Sequence, residues 1–155
     1  PSIALATMQL VGLARNKSKF NYQLRTAASR LANRGLVRFK RNGFIELTES
    51  GKREFNRLEQ EMKMHAGSRR RWDKKWRIVI YDIPERYRKV RDKLRITLRS
   101  YGFRQLQESV WIFPHDCEDV LTLLKADLGV AGSVLYAIIE KIENDSHLRR
   151  EFGVQ

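Results

Sequence analysis

The amino-acid sequence predicts an α+β protein made of two small domains joined by a basic linker. Three observations support this: a helix, a β-hairpin and a second helix are indicated before residue 67, basic residues are dense at 67–75, and strand and helix patterns alternate from residue 76 onward. With 155 residues, 42% of them hydrophobic, the chain is long enough to bury a core. We therefore predict domains at 1–66 and 76–155 with a linker at 67–75.

The first predicted helix and hairpin occupy residues 21–47. Apolar residues recur at helical spacing from 21 to 34, and Gly35 follows as a helix stop signal. Strands are expected at 37–41 and 44–47 around a two-residue Asn42-Gly43 loop, because a tight type I′ turn needs positive φ at both loop positions.

A second helix is expected to begin after Thr48, whose hydroxyl suits an N-cap, with an apolar stripe formed by Phe55, Leu58 and Met62. The segment that follows, at 67–75, combines Gly and Ser with like charges. Such a composition resists both helix and core formation, so the segment is interpreted as a linker.

The second predicted domain has the order β-α-β-β-α-β with a terminal helix, which is the ferredoxin-like arrangement. The long extended segment must fold into two strands, with a turn near 107–109. Apolar residues on both sides of Trp111 predict some apolar surface on the sheet, either at a subunit interface or under the terminal helix. The elements are expected at 76–83 (strand), 85–101 (helix), 103–113 (strands), after Asp116 (helix), 133–142 (strand) and 144–152 (helix).

Charge is distributed very unevenly along the chain. The net charge is +13, and residues 1–75 contain 18 Lys and Arg against 6 Asp and Glu. This imbalance points to a polyanionic partner bound by the first half. One cysteine and no apolar run near the roughly 20 residues that span a bilayer predict a cytoplasmic, nucleoid-associated protein without a membrane partner. Because residue 1 is not Met, the first helix of the natural protein is expected to be missing from this sequence.

Helix, basic hairpin and helix in this order predict a winged helix-turn-helix that binds double-stranded DNA. The face of the first helix opposite its apolar stripe carries hydroxyls, an amide and two flanking guanidiniums, from Tyr22, Arg25, Thr26, Ser29, Arg30 and Asn33. Arg pairs with guanine and Asn with adenine in the major groove. Basic side chains of the hairpin and linker suit the phosphates, namely Arg38, Lys40, Arg41, Arg69, Arg70 and Arg71.

Several motifs carry a resemblance to known families. The segments at 31–37 and 47–52 resemble the end of the winged-helix domain in many bacterial repressors. Residues 76–84, 101–103 and 107–111 resemble the Cas-two family, the small ferredoxin-like subunit of CRISPR adaptation. The combination resembles repressors of the PaaX type, either lacking their further C-terminal region or forming a distinct group of short fusions. The resemblance implies a homodimeric, sequence-specific transcriptional regulator with a roughly palindromic operator.

A second function class follows from the same resemblance. Asp82 lies where a Cas-two nuclease would have its catalytic, metal-binding carboxylate, and Mg²⁺ would then be required. Asp82 before Ile83-Pro84 also suits a strand-to-helix turn in which Asp caps the next helix. The regulator hypothesis requires no cofactor and leaves any effector ligand undefined. An RNA-binding or assembly role is a third alternative, although no aromatic pair has the spacing of an RNA recognition motif.

Overall fold

The structure, a computed structural model, describes residues 27–41, 44–130 and 132–155. The first described element is a helix at 27–33 (α1), so residues 21–26 of the predicted helix lie outside the described residues. Leu31 is fully buried on its inner face. The helix ends as predicted at Gly35, whose φ is +74°. The amide of Leu36 donates to the Leu31 carbonyl at 3.0 Å and that of Gly35 to Ala32 at 2.9 Å, the pattern of a Schellman motif.

The predicted hairpin is present, but its register differs from the predicted one. β1 (Val37–Phe39) pairs antiparallel with β2 (Ile45–Leu47), and Val37 lies opposite Leu47. The Lys40 amide donates to the Phe44 carbonyl at 2.7 Å. This register places Lys40 opposite Phe44, whereas the predicted two-residue loop would place Arg41 there; Asn42 and Gly43 of that loop lie outside the described residues. The register is set by the core, because it places the buried Val37 and Leu47 on one face.

The second helix, α2 (Glu49–His65), begins at the predicted N-cap. The Thr48 hydroxyl accepts from the Gly51 amide at 3.0 Å and donates to the Gly35 carbonyl at 2.6 Å. Phe55 and Met62 of the predicted stripe are buried, whereas Leu58 is partly buried. Thr48 therefore fixes the start of α2 to the end of α1.

Residues 67–75 have no regular secondary structure, but they are not all outside a core. Trp72 is buried, its ring centroid lies 4.8 Å from that of Trp76, and its indole N–H donates to the Lys75 carbonyl at 2.8 Å. The expectation that this segment resists core formation is wrong for Trp72. The indole explains this, because its large apolar area rewards burial once its N–H has a partner.

The remaining elements have the predicted βαββαβ order followed by a terminal helix. The sheet contains β3 (Trp76–Tyr81), β4 (Arg104–Gln107), β5 (Val110–Phe113) and β6 (Val134–Ile139) in the order β4-β5-β3-β6. All neighbouring strands are antiparallel. This is the ferredoxin-like arrangement. The helices are α3 (Arg88–Ser100), α4 (Glu118–Leu128) and α5 (Ser146–Phe152).

Both faces of the sheet are covered at its central strands β3 and β5, which explains why these two strands are mainly apolar, whereas the edge strand β4 is exposed. All four residues of β5 are buried: Trp111 and Phe113 pack on one side with α3 and α4, and Val110 and Ile112 on the other with Trp72, Trp76 and Leu148. Leu148 belongs to α5, so the apolar surface predicted around Trp111 lies under the terminal helix.

Two local predictions in this region are wrong. The helix expected at 85–101 is interrupted at its start: Glu85–Tyr87 form a 3₁₀ turn before α3 begins. Tyr87, which helical spacing would place on the apolar side of the expected helix, is half exposed, and its ring centre lies 5.0 Å from the guanidinium of Arg86. A tighter 3₁₀ turn is common at the N-terminus of an α-helix, and neither helix start here has a side-chain cap.

The N-terminal elements and the ferredoxin-like domain share one hydrophobic core. Leu31, Leu47 and Phe55 belong to the same buried cluster as Leu121 and Leu124 of α4. α4 contacts both β2 and α2. The hairpin and α2 are therefore held against the second half of the chain.

Candidate nucleic-acid interface

The described part of the predicted recognition face lies on the outside of α1. Ser29, Arg30 and Asn33 are exposed there, whereas the predicted positions Tyr22, Arg25 and Thr26 fall outside the described residues. The burial of Ala27, Ala28 and Leu31 on the opposite side of α1 orients these polar side chains outward.

The guanidinium of Arg30 is already engaged by acidic side chains of α4. It bonds to the carboxylate of Asp119 and lies 3.9 Å from that of Glu118. The hydrogen bond and the charge of Asp119 raise the pKa of Arg30. Burial raises the pKa of Glu118, and the positive charge of Arg30 opposes that rise. The first turn of α4 therefore covers one edge of the recognition face with negative charge.

Arg34 extends this cluster at the end of α1. Its guanidinium lies 3.7 Å from Asp119 and 3.7 Å from Glu54 of α2. The sequence placed no acid on this face of α1. In the structure three acids lie beside this face, and Asp119 is 89 residues away from Arg30 along the chain. The three are Glu54, Glu118 and Asp119.

The basic side chains of the hairpin remain directed to solvent. Arg38 and Arg41 are exposed, and Lys40 lies 3.5 Å from Glu46 across the two strands. Within the described part of the chain, no carboxylate lies within ion-pair distance of Arg38 or Arg41. An exposed cation without a neutralising partner is suited to a phosphate oxygen.

The linker arginines do not all face the same way. Arg69 and Arg71 are exposed, whereas Arg70 is half-buried with its guanidinium 5.9 Å from the centre of the Phe113 ring. Arg69 and Arg70 line a cavity of about 170 Å³ together with Arg104 and Arg150. Arg71 is not part of that cavity, so the structure separates it from its two neighbours.

Asp82 is exposed and follows β3, where its backbone amide donates to the Ser133 carbonyl at 2.9 Å. Its side chain does not cap the following 3₁₀ turn, so that part of the prediction is wrong. Among the described residues, no group of three or more His, Cys, Asp or Glu side chains is placed to hold a metal ion. Asp82 lies exposed at the end of β3.

Two features of the surface could not be recognised from local sequence patterns. Glu118 and Asp119 read as ordinary first-turn acids of a helix, and nothing in their spacing indicates that they contact α1. The grouping of Arg69 and Arg70 with Arg104 and Arg150 also joins distant segments. In contrast, the basic character of α3 is visible in the sequence, where residues 86–99 hold seven Lys or Arg and one acid.

The fold and these surfaces define an α+β protein in which a Cas2-like ferredoxin domain follows a basic segment made of a helix, a β-hairpin and a second helix. Residues 69–150 match a family model described as the PaaX protein central Cas2-like domain, and the chain belongs to this family. The resemblance stated from the sequence is thereby confirmed. No curated protein matches the chain. None of the described helices is long and apolar enough to cross a membrane.

Proposed function

We propose that this protein is a sequence-specific DNA-binding transcriptional regulator, a repressor that acts as a homodimer. Membership of the PaaX family supports a role in transcriptional regulation. The observation that carries the DNA-binding part is the exposed polar face of α1 with Ser29, Arg30 and Asn33, next to a hairpin with exposed cations. A solvated helix without a binding role normally mixes Glu with Lys, whereas no acid precedes Glu46 in the sequence.

In the proposed complex, α1 and its N-terminal extension enter the major groove as the recognition helix of a winged helix. Arg30 and Asn33 read bases, together with Tyr22, Arg25, Thr26 and Ser29. Arg38, Lys40 and Arg41 of the hairpin and Arg69 and Arg71 of the linker bind phosphates, which sets orientation without reading sequence.

The proposed homodimer presents two recognition helices related by a two-fold axis, and two half-sites one helical turn apart would then form a roughly palindromic operator. The sheet supplies surface for such an association at its edges. β4 and β6 are its edge strands, and Ile138 on β6 is 51% exposed.

The first test is selection of duplexes from a random-sequence pool by the purified chain in EDTA, which excludes metal-dependent cleavage. An enriched palindrome is the expected result. Asn33→Ala should then weaken binding to the selected site by about 1–3 kcal/mol, or roughly 5- to 150-fold, and leave random DNA almost unaffected. Binding without enrichment, or an equal loss on both duplexes, would contradict sequence reading by α1.

Asn33 is a cleaner test position than Arg30. Replacing Arg30 also releases Asp119 and Glu118, so the loss of a base contact and the exposure of two acids would be measured together. Asn56→Ala serves as the matched control, because it removes the same neutral amide from an exposed position of α2 that the proposal gives no part in DNA binding. It should leave the selected site and the affinity unchanged.

A further inference from the structure

A small cationic cavity lies between the linker, the start of β4, the end of β5 and α5. Its volume is about 170 Å³. Four guanidiniums line it, from Arg69, Arg70, Arg104 and Arg150, and we call it the Arg70 pocket. The only carboxylate among its lining residues is that of Glu151.

The positive charge of the Arg70 pocket is largely uncompensated. Glu151 is held by Arg104 at 2.9 Å. Among the described residues, no carboxylate lies within ion-pair distance of Arg69, Arg70 or Arg150. Three guanidiniums without an ion-pair partner therefore line one concave space, where their mutual repulsion favours an anion. Arg70 also lines a second cavity, whose lining includes the carboxylates of Glu61, Asp116, Glu118 and Asp119.

Arg70 supplies a second, independent observation. Its guanidinium lies against the Phe113 ring, and its Nε–H is buried without a hydrogen-bond acceptor. Buried donors in folded proteins are nearly always satisfied, and an unsatisfied donor commonly marks the place of a bound water or ion. Because this Nε–H has almost no exposed surface even with the pocket empty, an anion in the pocket would bind Arg70 through the rest of its guanidinium and not through Nε.

The charge of the pocket also acts on His115, which lines it. Burial, and then the positive charges of Arg70 and Arg77, lower the pKa of His115 to about 4, while Asp73 acts in the opposite direction. The imidazole ring also meets Phe113 edge-on, with the ring centres 5.6 Å apart. The pKa of His115 therefore indicates whether the pocket is occupied, because an anion bound there would raise the pKa of the imidazole.

We propose that the Arg70 pocket binds a phosphate group. Guanidinium groups present forked N–H donors that match phosphate oxygens, and a phosphate dianion would balance most of the charge of Arg69, Arg70 and Arg150. The same chemistry is offered by a backbone phosphate of DNA and by a phosphorylated small molecule. The inference does not rest on the proposed base reading by α1, since phosphate binding can be measured without DNA.

The test uses the full chain and two probes, inorganic phosphate and a duplex of unrelated sequence, at constant ionic strength in chloride. Affinity is measured by calorimetry and the pKa of His115 by NMR titration of its imidazole. Arg70→Gln and the exposed Arg150→Gln are compared with Arg57→Gln. Arg57 is a matched control on α2, because its guanidinium is bonded to Glu54 and Glu61 away from the pocket.

Inorganic phosphate should raise the pKa of His115, and both pocket variants should bind it at least tenfold more weakly than Arg57→Gln. A response to the duplex alone, lost in the same two variants, would identify the DNA backbone as the source of the phosphate. Phosphate binding without any binding of the unrelated duplex would support this inference and leave the proposed function to be decided by the duplex selection. If neither probe moves the pKa of His115, or all three variants behave alike, the phosphate site is refuted, and duplex binding by the wild type would leave the proposed function standing.

Discussion

At the scale of single residues, Arg30 shows how one side chain can serve two competing partners. Its guanidinium bonds to Asp119, yet it lies on the exposed face of α1 that we propose to meet DNA. An aspartate carboxylate and a phosphate oxygen offer the same kind of acceptor to a guanidinium. DNA must therefore displace Asp119 before Arg30 can contact a base.

This competition predicts that Asp119→Asn strengthens DNA binding. The substitution removes a carboxylate that holds Arg30 and lies 3.7 Å from Arg34, and it also removes one negative charge facing the duplex. An exposed pair of this kind contributes about 0.2–1 kcal/mol, so an affinity gain of roughly two- to fivefold is expected at low salt. Fluorescence anisotropy with a labelled duplex measures it. Asp127→Asn, on the same helix, makes the same charge change away from Arg30 and should have a smaller effect; equal gains would exclude the competition.

The second prediction at this scale concerns acid sensitivity through His115. Its pKa is about 4 in the folded protein, below the ordinary value of 6.5, so the fold favours the neutral imidazole. The resulting stability is fully present above pH 6.5 and is lost as the pH falls from 6.5 toward 4. Between pH 7 and 4.5 this amounts to about 2 kcal/mol after allowance for partial solvent screening.

His115→Gln should remove that dependence. Urea unfolding at the two pH values measures the change in the free energy of unfolding for wild type and variant. The pH range stays above the titration of Asp73, whose pKa is lowered to about 2 by its hydrogen bonds to Arg77. An identical loss of stability in both proteins on acidification would exclude His115 as the source.

At the scale of elements, sequence patterns located most helices and strands because local signals and burial agree. Thr48 and Gly35 occupy the expected cap and stop positions, and the strand at Trp76–Tyr81 is buried throughout, as its apolar run predicts. The predicted register of the hairpin was wrong, because the Asn-Gly signal favours one register and the burial of Val37 opposite Leu47 requires another. The structure has the register that buries both side chains. The 3₁₀ turn at Glu85–Tyr87 was not predicted, because the spacing of apolar residues does not distinguish a 3₁₀ helix from an α-helix over so few residues.

Gly51 tests how tightly these elements are packed. It lies in the first turn of α2, and a Cβ there would be 1.9 Å from the carbonyl oxygen of Leu36. Helix propensity alone predicts that Gly51→Ala stabilises the protein by up to about 1 kcal/mol. The backbone clash predicts the opposite sign, with a net loss of about 2 kcal/mol. Urea unfolding decides between them, and Gly132→Ala, where a Cβ would meet no atom within 4 Å, should change stability by less than about 0.5 kcal/mol.

At the scale of the whole molecule, the two halves of the chain are joined by packing that no local pattern encodes. α4 belongs to the ferredoxin-like domain, yet Leu121 and Leu124 share a core with Leu31 and Phe55. The sequence predicted Phe55 to lie in the apolar stripe of its own helix. It could not show which distant elements meet, and for that reason the Arg30–Asp119 contact and the Arg70 pocket were both missed.

The last prediction concerns the basic surface of α3. Arg95 and Arg99 lie one helical turn apart, and among the described residues neither has a carboxylate within ion-pair distance. Four acids of residues 105–155 are engaged within the chain, namely Glu118, Asp119, Asp145 and Glu151. The other acids of that segment have no ion pair among the described residues, so a second copy of the chain competes with DNA as the partner of Arg95 and Arg99. We expect DNA that extends beyond the recognition helix to be the partner.

Replacing both Arg95 and Arg99 by Gln should therefore lower the steepness of the salt dependence on a long duplex. Each lost phosphate contact reduces the slope of log K against log salt by about 0.9, so a decrease of roughly 2 is expected on a 40-base-pair duplex and little change on a 16-base-pair one. Lys63→Gln with Lys141→Gln removes the same charge from other exposed positions and controls for net charge. If both double variants lower the slope equally, the effect belongs to net charge; if only the α3 variant lowers it, and only on the long duplex, α3 contacts the backbone of flanking DNA.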